Sequence, residues 1–228
     1  MHRLVYVLML LIIPLAIVIL AIWPSPRAAL TESGPLRIAF MTNRDGDYEV
    51  YVMERDGSNP VNLTQNPADD GLPTTSAAGG DIVFVSTRDE TSLALFKMDA
   101  DGGNLQALGT DPPADADAPH YSPTGEWIAF GAMADDNAEI FITDPQGQEV
   151  RNLTRHPAND RFGSWSPDGA ELVYASAREG TVVVYTVSVE GGPPLRVSDA
   201  QWPSGAPVWS PDGSQIAFMA ERDGNVDV

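Results

Sequence analysis

No cysteine occurs in the 228 residues. That excludes disulfides, thiolate metal ligands and a lipid-modified N-terminal cysteine. Basic residues are scarce: 13 Lys and Arg stand against 32 Asp and Glu, a formal charge of −19. So acidic a surface repels nucleic acid and anionic headgroups, and no nucleic-acid partner is expected. Histidine is limited to His2, His120 and His156, none of which has a second histidine or a cysteine at metal-ligand spacing. Gly-x-Ser-x-Gly, a phosphate-binding loop and a dinucleotide fingerprint are all missing. The sequence therefore offers no catalytic constellation, no cofactor site and no metal site, and leans away from an enzyme.

What is present is a repeat. Trp165-Ser166-Pro167-Asp168-Gly169 recurs as Trp209-Ser210-Pro211-Asp212-Gly213, more loosely as Tyr121-Ser122-Pro123-Thr124-Gly125, and in decayed form as Thr75-Ser76-Ala77-Ala78-Gly79. The serines at 76, 122, 166 and 210 set a period of 44 to 46 residues, in the range of repeat architectures. Proline pre-sets φ, aspartate bonds its own backbone and glycine supplies positive φ, so the stretch predicts a hairpin turn between two strands.

The second strand of each unit carries a trio: Ile38-Ala39-Phe40, Ile82-Val83-Phe84, Ile128-Ala129-Phe130, Leu172-Val173-Tyr174 and Ile216-Ala217-Phe218. Strand side chains alternate, so the outer two residues share a face. The small or β-branched middle residue predicts close approach of a neighbouring sheet. A polar turn follows, such as Arg44-Asp45-Gly46 or Arg178-Glu179-Gly180, then a third strand such as Glu49-Val50-Tyr51-Val52. A short fourth strand ends Asn62-Leu63-Thr64 or Asn152-Leu153-Thr154. Four short antiparallel strands per unit predict an all-β propeller, with four recognisable units from residue 36 and a partial fifth that stops at Val228 inside its third strand. A partial ring leaves open edges, so further blades beyond Val228 are expected. Trp165, Trp209 and Tyr121 are expected to pack near the inner strands.

Taken together, the Trp-Ser-Pro-Asp-Gly, Ile-Ala-Phe, Arg-Asp-Gly, Glu-Val-Tyr-Val and Asn-Leu-Thr motifs resemble the TolB-type propeller repeat over roughly residues 37–228. Their offsets match as well: Ile38 to Leu63, Ile128 to Leu153 and Leu172 to Val197 each span 25 positions. The resemblance implies a propeller of the kind found in the periplasmic TolB protein and ahead of the catalytic domain of prolyl-oligopeptidase-type peptidases. It implies no single activity, because function lives in sites grafted on folds.

Ahead of the repeats, Leu4 to Trp23 form an apolar run of 20 residues, enough to cross a bilayer core of about 30 Å. No small-x-small cleavage site follows it. Residues 1–23 are therefore expected to be an uncleaved signal anchor and transmembrane helix, 24–35 a linker and 36–228 the propeller. Arg3 on the short side predicts a cytoplasmic N-terminus and an extracytoplasmic, periplasmic or extracellular propeller on a single-pass membrane protein.

Few residues invite a chemical reading. His120 and His156 occupy repeat positions. Ser122, Ser166 and Ser210 recur at one hairpin position, whereas a catalytic serine would be singular and near a histidine. Asp45-Gly46-Asp47-Tyr48-Glu49 alternates oxygens as calcium loops do but lacks their length. Asp135-Asp136 and Asp223 fall in equivalent turns and read as turn chemistry. Asn62-Leu63-Thr64 and Asn152-Leu153-Thr154 fit a glycosylation acceptor yet sit at one repeat position. Two functions follow as expectations. The first is a non-enzymatic, membrane-anchored scaffold that binds a protein, peptide or glycan on a propeller face. The alternative is the N-terminal propeller of a prolyl-oligopeptidase-type serine peptidase whose catalytic domain lies outside this chain.

Overall fold

Why the chain folds blade by blade follows from its hairpins. The computed structural model describes residues 37–88, 92–109, 113 and 115–228. The expected membrane helix and linker lie outside the described residues. Among the described residues, no helix is long and apolar enough to cross a membrane.

Five antiparallel sheets succeed one another along the sequence. Blade 1 holds β1 (Arg37–Thr42), β2 (Glu49–Glu54) and β3 (Val61–Asn62). Blade 2 holds β4 (Asp70–Thr75), β5 (Asp81–Ser86), β6 (Ala94–Asp99) and β7 (Gln106–Ala107). Blade 3 holds β8 (Asp117–Tyr121), β9 (Ile128–Ala134), β10 (Asn137–Thr143) and β11 (Val150–Asn152). Blade 4 holds β12 (Asp160–Trp165), β13 (Glu171–Ser176), β14 (Val183–Ser188) and β15 (Leu195–Arg196). Blade 5 holds β16 (Ser204–Trp209), β17 (Ile216–Arg222) and β18 (Asn225–Asp227). Strand order within each sheet is sequential, the meander of a propeller blade.

Sheet boundaries differ from a division of the chain at Ile38 and its equivalents. That division leaves Asp70–Thr75 at the end of the first unit, whereas β4 pairs with β5. The Ser-Pro-Asp-Gly turn is tight and keeps its two strands in one ladder. The longer link around residues 63–69 is what steps to the next blade. Even the decayed copy makes the turn: Ser76 N–H donates to Asp81 O and Gly79 N–H to Ser76 O.

The alternation of the trios sets the packing between blades. Ile82 and Phe84 face blade 1 and pack with Val50, Val52 and Ala39. Val83 and Val85 face blade 3 and pack with Ile128 and Phe130. Ala129 in turn packs with Leu172 and Tyr174 of blade 4. In blades 2 to 4 the outer two residues of the trio thus meet the preceding blade, and in blades 1 to 3 the middle one meets the following blade, as the small middle residue predicts. In blades 1 to 4 an aromatic pair locks the second strand to the third. These are Phe40–Tyr51, Phe84–Phe96, Phe130–Phe141 and Tyr174–Tyr185, with ring centroids 5.7, 6.1, 5.7 and 5.8 Å apart. Each is a direct cross-strand partner in its ladder, the geometry in which such pairs contribute most.

The innermost strand of blades 2 to 5 bends. Its register shifts between Gly71 and Thr74, Asp117 and His120, Phe162 and Ser164, and Gly205 and Val208. These are β-bulges, which twist a strand and re-aim its side chains. Three of the four hold a non-glycine residue in the left-handed region just before a proline: Leu72 (φ 51°), Ala118 (φ 44°) and Ala206 (φ 47°). Blade 4 has Gly163 in place of that proline. A Cβ there would fall 2.4 Å from Pro207 O and 2.9 Å from Val173 O, so β12 and β16 meet backbone to backbone.

Candidate functional site

Chemistry-bearing side chains fall into three groups: the hairpin serines, the seams between blades, and the inner strands. The serines act on their own turns. Ser166 Oγ donates to Asp168 Oδ1 at 2.6 Å and accepts the Glu171 N–H at 2.9 Å. Ser210 repeats this with Asp212 and Gln215, and its hydroxyl, with Ser214, holds the Asp212 carboxyl down to about 2. Ser122 Oγ accepts from Trp127 N–H. These hydroxyls staple hairpins, as their recurrence before proline implies.

The seams hold the charges that the sequence hides best. Between blades 1 and 2, Glu49 and Asp70 are 4% and 0% exposed. Thr64 Oγ1 donates to Glu49 Oε2, and the Asn66 N–H donates to Oε1. Asn66 Nδ2 reaches Asp70 Oδ2. Arg88 Nη2 donates to both Asp70 oxygens at 2.9 Å, while its guanidinium lies over the Phe84 and Phe96 rings. Between blades 3 and 4 the set recurs with Glu139, Thr154, His156, Asp160 and Arg178. Thr154 Oγ1 and the His156 N–H donate to Glu139. Arg178 Nη2 donates to Asp160 Oδ2 at 3.1 Å and lies over Tyr174 and Tyr185.

The other two seams put different residues at the same places. Ala94, Gly109 and Ala116 stand there between blades 2 and 3. Val183, Ser198 and Ser204 stand there between blades 4 and 5, all at most 4% exposed. Polar and less polar seams therefore alternate. The sequence places these arginines in polar turns; the side chains of Arg88 and Arg178 are nevertheless only 18% and 12% exposed.

One difference separates the two charged seams. Where Asn66 donates to Asp70, His156 stands at the matching place, and its Nδ1 accepts the Ala158 N–H instead. Asp160 Oδ1 is left buried without a hydrogen-bond partner. Burial, chiefly, and then Glu139 push the Asp160 carboxyl above its ordinary range, against the Ser176 and Arg178 contacts that lower it. A raised carboxyl favours the folded state at low pH, and its contribution is lost as pH rises through the folded pKa. Asp160→Asn should remove that dependence. The difference in unfolding free energy, variant minus parent, should become more positive as pH climbs from about 4 toward 7; urea titrations at stepped pH would measure it, and a flat difference would refute it.

Both Asn-Leu-Thr stretches are explained by these seams. Asn62 Oδ1 accepts the N–H groups of Thr64 and Gln65, and Asn152 Oδ1 those of Thr154 and Arg155. Each asparagine thus closes a turn that aims the threonine hydroxyl at a buried glutamate. The same hydroxyl accepts a backbone N–H, from Val50 or Ile140, at 3.1 Å. Thr154→Val would leave both Glu139 Oε2 and the Ile140 N–H short of a partner. It should destabilise by about 2 kcal/mol, read from the urea midpoint; a cost near zero would mean water replaces the hydroxyl.

The calcium-like stretch does not converge. Tyr51 Oη bonds Asp45, the Tyr48 N–H bonds Asp69, and Glu49 turns into the seam. Among the described residues no three His, Asp or Glu side chains group in metal-ligand geometry. Asp135, Asp136 and Asp223 take left-handed turn positions.

On the inner strands, His120 stacks on Phe162 at 4.8 Å, and burial lowers its pKa. Trp165 Nε1 donates to His120 O at 3.0 Å. The Trp209 N–H donates to Ser164 Oγ at 2.8 Å and the Tyr121 N–H to Thr74 Oγ1 at 3.4 Å. Neighbouring inner strands are thus tied by Thr74, His120 and Ser164, one repeat position, and the three expected aromatics belong to these strands. Leu72, Asp117, Arg161, Ala206 and Val208 are the exposed residues of this face. Where Val182 of blade 4 meets blade 5, an open groove of about 260 Å³ is lined by Val182, Pro203, Gly205, Met219 and Val226 among others.

Comparison with known proteins agrees with this geometry. The TolB beta propeller domain matches residues 109–228. The Tol-Pal system protein TolB of Bordetella pertussis is 28% identical over 157 residues, 68% of this chain and 35% of that protein. The TolB structure from Acinetobacter baumannii superposes with a TM-score of 0.65 at 22% identity, covering 83% of this chain and 48% of that one. A puromycin-hydrolyzing peptidase from Mycobacterium tuberculosis superposes at 0.61 with 15% identity, covering 82% and 35%. The chain spans less than half the length of the curated relatives it matches. Repeat, blade topology and family match agree, and the chain belongs to the TolB β-propeller family.

Proposed function

We propose that this chain is a non-enzymatic, extracytoplasmic scaffold, held at the membrane by its N-terminal apolar segment, whose propeller face binds a protein partner. One observation carries the reading. Among the described residues, the hairpin serines, His120, His156 and the buried acids are committed to hairpins, seams and strand-to-strand ties, while the inner-strand face keeps exposed, chemically mixed side chains. A rigid scaffold with such a face is built for recognition. The face carries both Asp117 and Arg161, so a partner with paired charges suits it better than a nucleic acid or an anionic lipid surface.

Photocrosslinking in the native host tests this. A crosslinker at Asp117 or Arg161 should give one discrete protein adduct that the same probe at Leu195, on an outer strand, does not give. Adducts of equal yield at all three positions would defeat the reading. Alkaline carbonate washing should leave the protein in the membrane fraction; release would remove the anchor. The second reading, a peptidase propeller, draws support from the likeness to the puromycin-hydrolyzing peptidase. It requires the reading frame past codon 228 to run into a strand, Gly-x-Ser-x-Gly and helix.

A further inference from the structure

The link that enters each charged seam bonds in one way at Asn66 and at His156. Each side chain accepts the N–H two residues on: Ala68 N–H to Asn66 Oδ1 at 2.9 Å, and Ala158 N–H to His156 Nδ1 at 3.1 Å. Each residue also gives its own backbone N–H to the buried glutamate. The two differ at the second atom carried by Cγ. In asparagine that atom is Nδ2, and it donates to Asp70 Oδ2. In histidine it is Cδ2, a carbon with no proton to give. Asp160 Oδ1 is accordingly buried with no hydrogen-bond partner among the described residues. Tyr174 Oη, fully buried where blade 2 has Phe84, has none either.

The charges of this seam leave room for one proton. Glu139 of β10 and Asp160 of β12 face a single guanidinium, that of Arg178 in the turn after β13. Tyr174 of β13 and Tyr185 of β14 lie beneath that guanidinium. Arg155, next to His156, is exposed and bonds back to Asn152 O. Two acids against one base leave a net negative charge among buried groups. The raised Asp160 carboxyl expresses the same demand for a proton. Histidine is the side chain that ordinarily changes charge between about pH 5 and 8. Because Nδ1 of His156 accepts a hydrogen bond, the neutral ring carries its hydrogen on Nε2. Once Nδ1 is protonated it has no lone pair left and cannot keep the Ala158 N–H. A half-turn about the Cβ–Cγ bond exchanges Nδ1 with Cδ2. The new N–H then stands where Asn66 carries Nδ2.

We propose that the seam between blades 3 and 4 is a pH-operated latch, in which protonated His156 turns over and donates from Nδ1 to Asp160 Oδ1. Asn66 makes the corresponding bond to Asp70 at every pH. One proton passes from solvent to Nδ1, and no covalent bond between heavy atoms changes. The bond gained is charge-assisted. Folding gives the charged ring a partner that the unfolded chain lacks. The latch therefore adds stability below the ordinary titration range of histidine, and that stability is lost as pH rises and the ring gives up its proton. Asp160 precedes Arg161 in β12, so the latch holds this strand to blade 3 in acid. It operates whether or not the inner-strand face binds a partner.

Amide exchange on the full chain tests the latch at Ala158, with Ala68 as the internal reference and the intrinsic pH dependence divided out. Between about pH 8 and about pH 5, the protection of Ala158 relative to Ala68 should fall by about tenfold or more, because the protonated ring releases that N–H. His156→Asn should abolish the step. The same variant should melt above the parent at about pH 8, by a margin that closes toward about pH 5. Asn66→His should move the step to Ala68. A protection ratio that stays constant in the parent would overturn the proposal. So would a step that persists in His156→Asn, because the titration would then belong to Asp160 alone. The parent measurement involves no substitution, so it decides even where a variant fails to fold.

Discussion

Asp70→Ala should lower the unfolding free energy by about 3–5 kcal/mol, the cost of breaking a buried ion pair from one side. Asp70 is fully buried and takes both its Arg88 bonds at 2.9 Å. Removing it strands the Arg88 guanidinium above Phe84 and Phe96 and takes the acceptor from Asn66 Nδ2. The comparison is Arg196–Glu179, nearly as short at 3.1 Å but 50% and 33% exposed. Glu179→Ala, judged on that ion pair, should cost under about 1 kcal/mol. Joint replacement by Asp70→Leu and Arg88→Met should cost less than Asp70→Ala alone, because it leaves no unpaired charge behind. Urea midpoints at constant m would measure all three. A cost below about 1 kcal/mol for Asp70→Ala would show that solvent reaches this seam.

Gly163→Val should cost about 3 kcal/mol or more, the upper end for overpacking a filled interior. The Cβ would meet Pro207 O at 2.4 Å, Pro207 Cγ at 2.7 Å and Val173 O at 2.9 Å. Two of these are carbonyl oxygens of neighbouring strands, so no side-chain rotation relieves the clash. β12 and β16 would have to separate, breaking the bond from the Trp209 N–H to Ser164 Oγ. Gly205, on the next inner strand, has nothing within 4 Å of where a methyl group would stand, and no left-handed φ. Gly205→Ala should change stability by less than about 0.5 kcal/mol. Thermal unfolding of the two variants beside the parent would decide. Equal melting temperatures would mean the inner strands are loosely apposed.

Much of this architecture is legible in the residues. The hairpins follow from Ser-Pro-Asp-Gly, and the packing sides follow from the alternation within each trio. Even Thr75–Gly79 folds as its intact copies do, because serine and glycine alone retain the turn's bonds. The charged seams are hard to read because their residues recur only at every second blade. Comparing Glu49 with Ala94, or Asp70 with Ala116, looks like drift; comparing Glu49 with Glu139 and Asp70 with Asp160 does not. The sequence places arginine in a polar Arg-Asp-Gly turn, and only the ladder reveals that it folds back over an aromatic pair. The bulges leave almost no sequence trace, since leucine or alanine before proline ordinarily predicts extended backbone. As for function, the serines and asparagines of the hairpins and seams are accounted for by bonds within the repeat, and the exposed inner-strand residues follow no rule that one sequence could supply.

The alternating seams give the ring a parity. Blades 1 and 3 offer a glutamate to the next blade, and blades 2 and 4 put Ala94 or Val183 at that position. Deleting or inserting a single blade would set a Glu49-type carboxylate against an Ala116-type wall, without the threonine and arginine arrangement that satisfies it. Moving two adjacent blades together preserves every junction. Tolerated growth and loss in this lineage, and workable recombination in the laboratory, should therefore proceed by pairs, with the doublet rather than the single repeat as the exchangeable part.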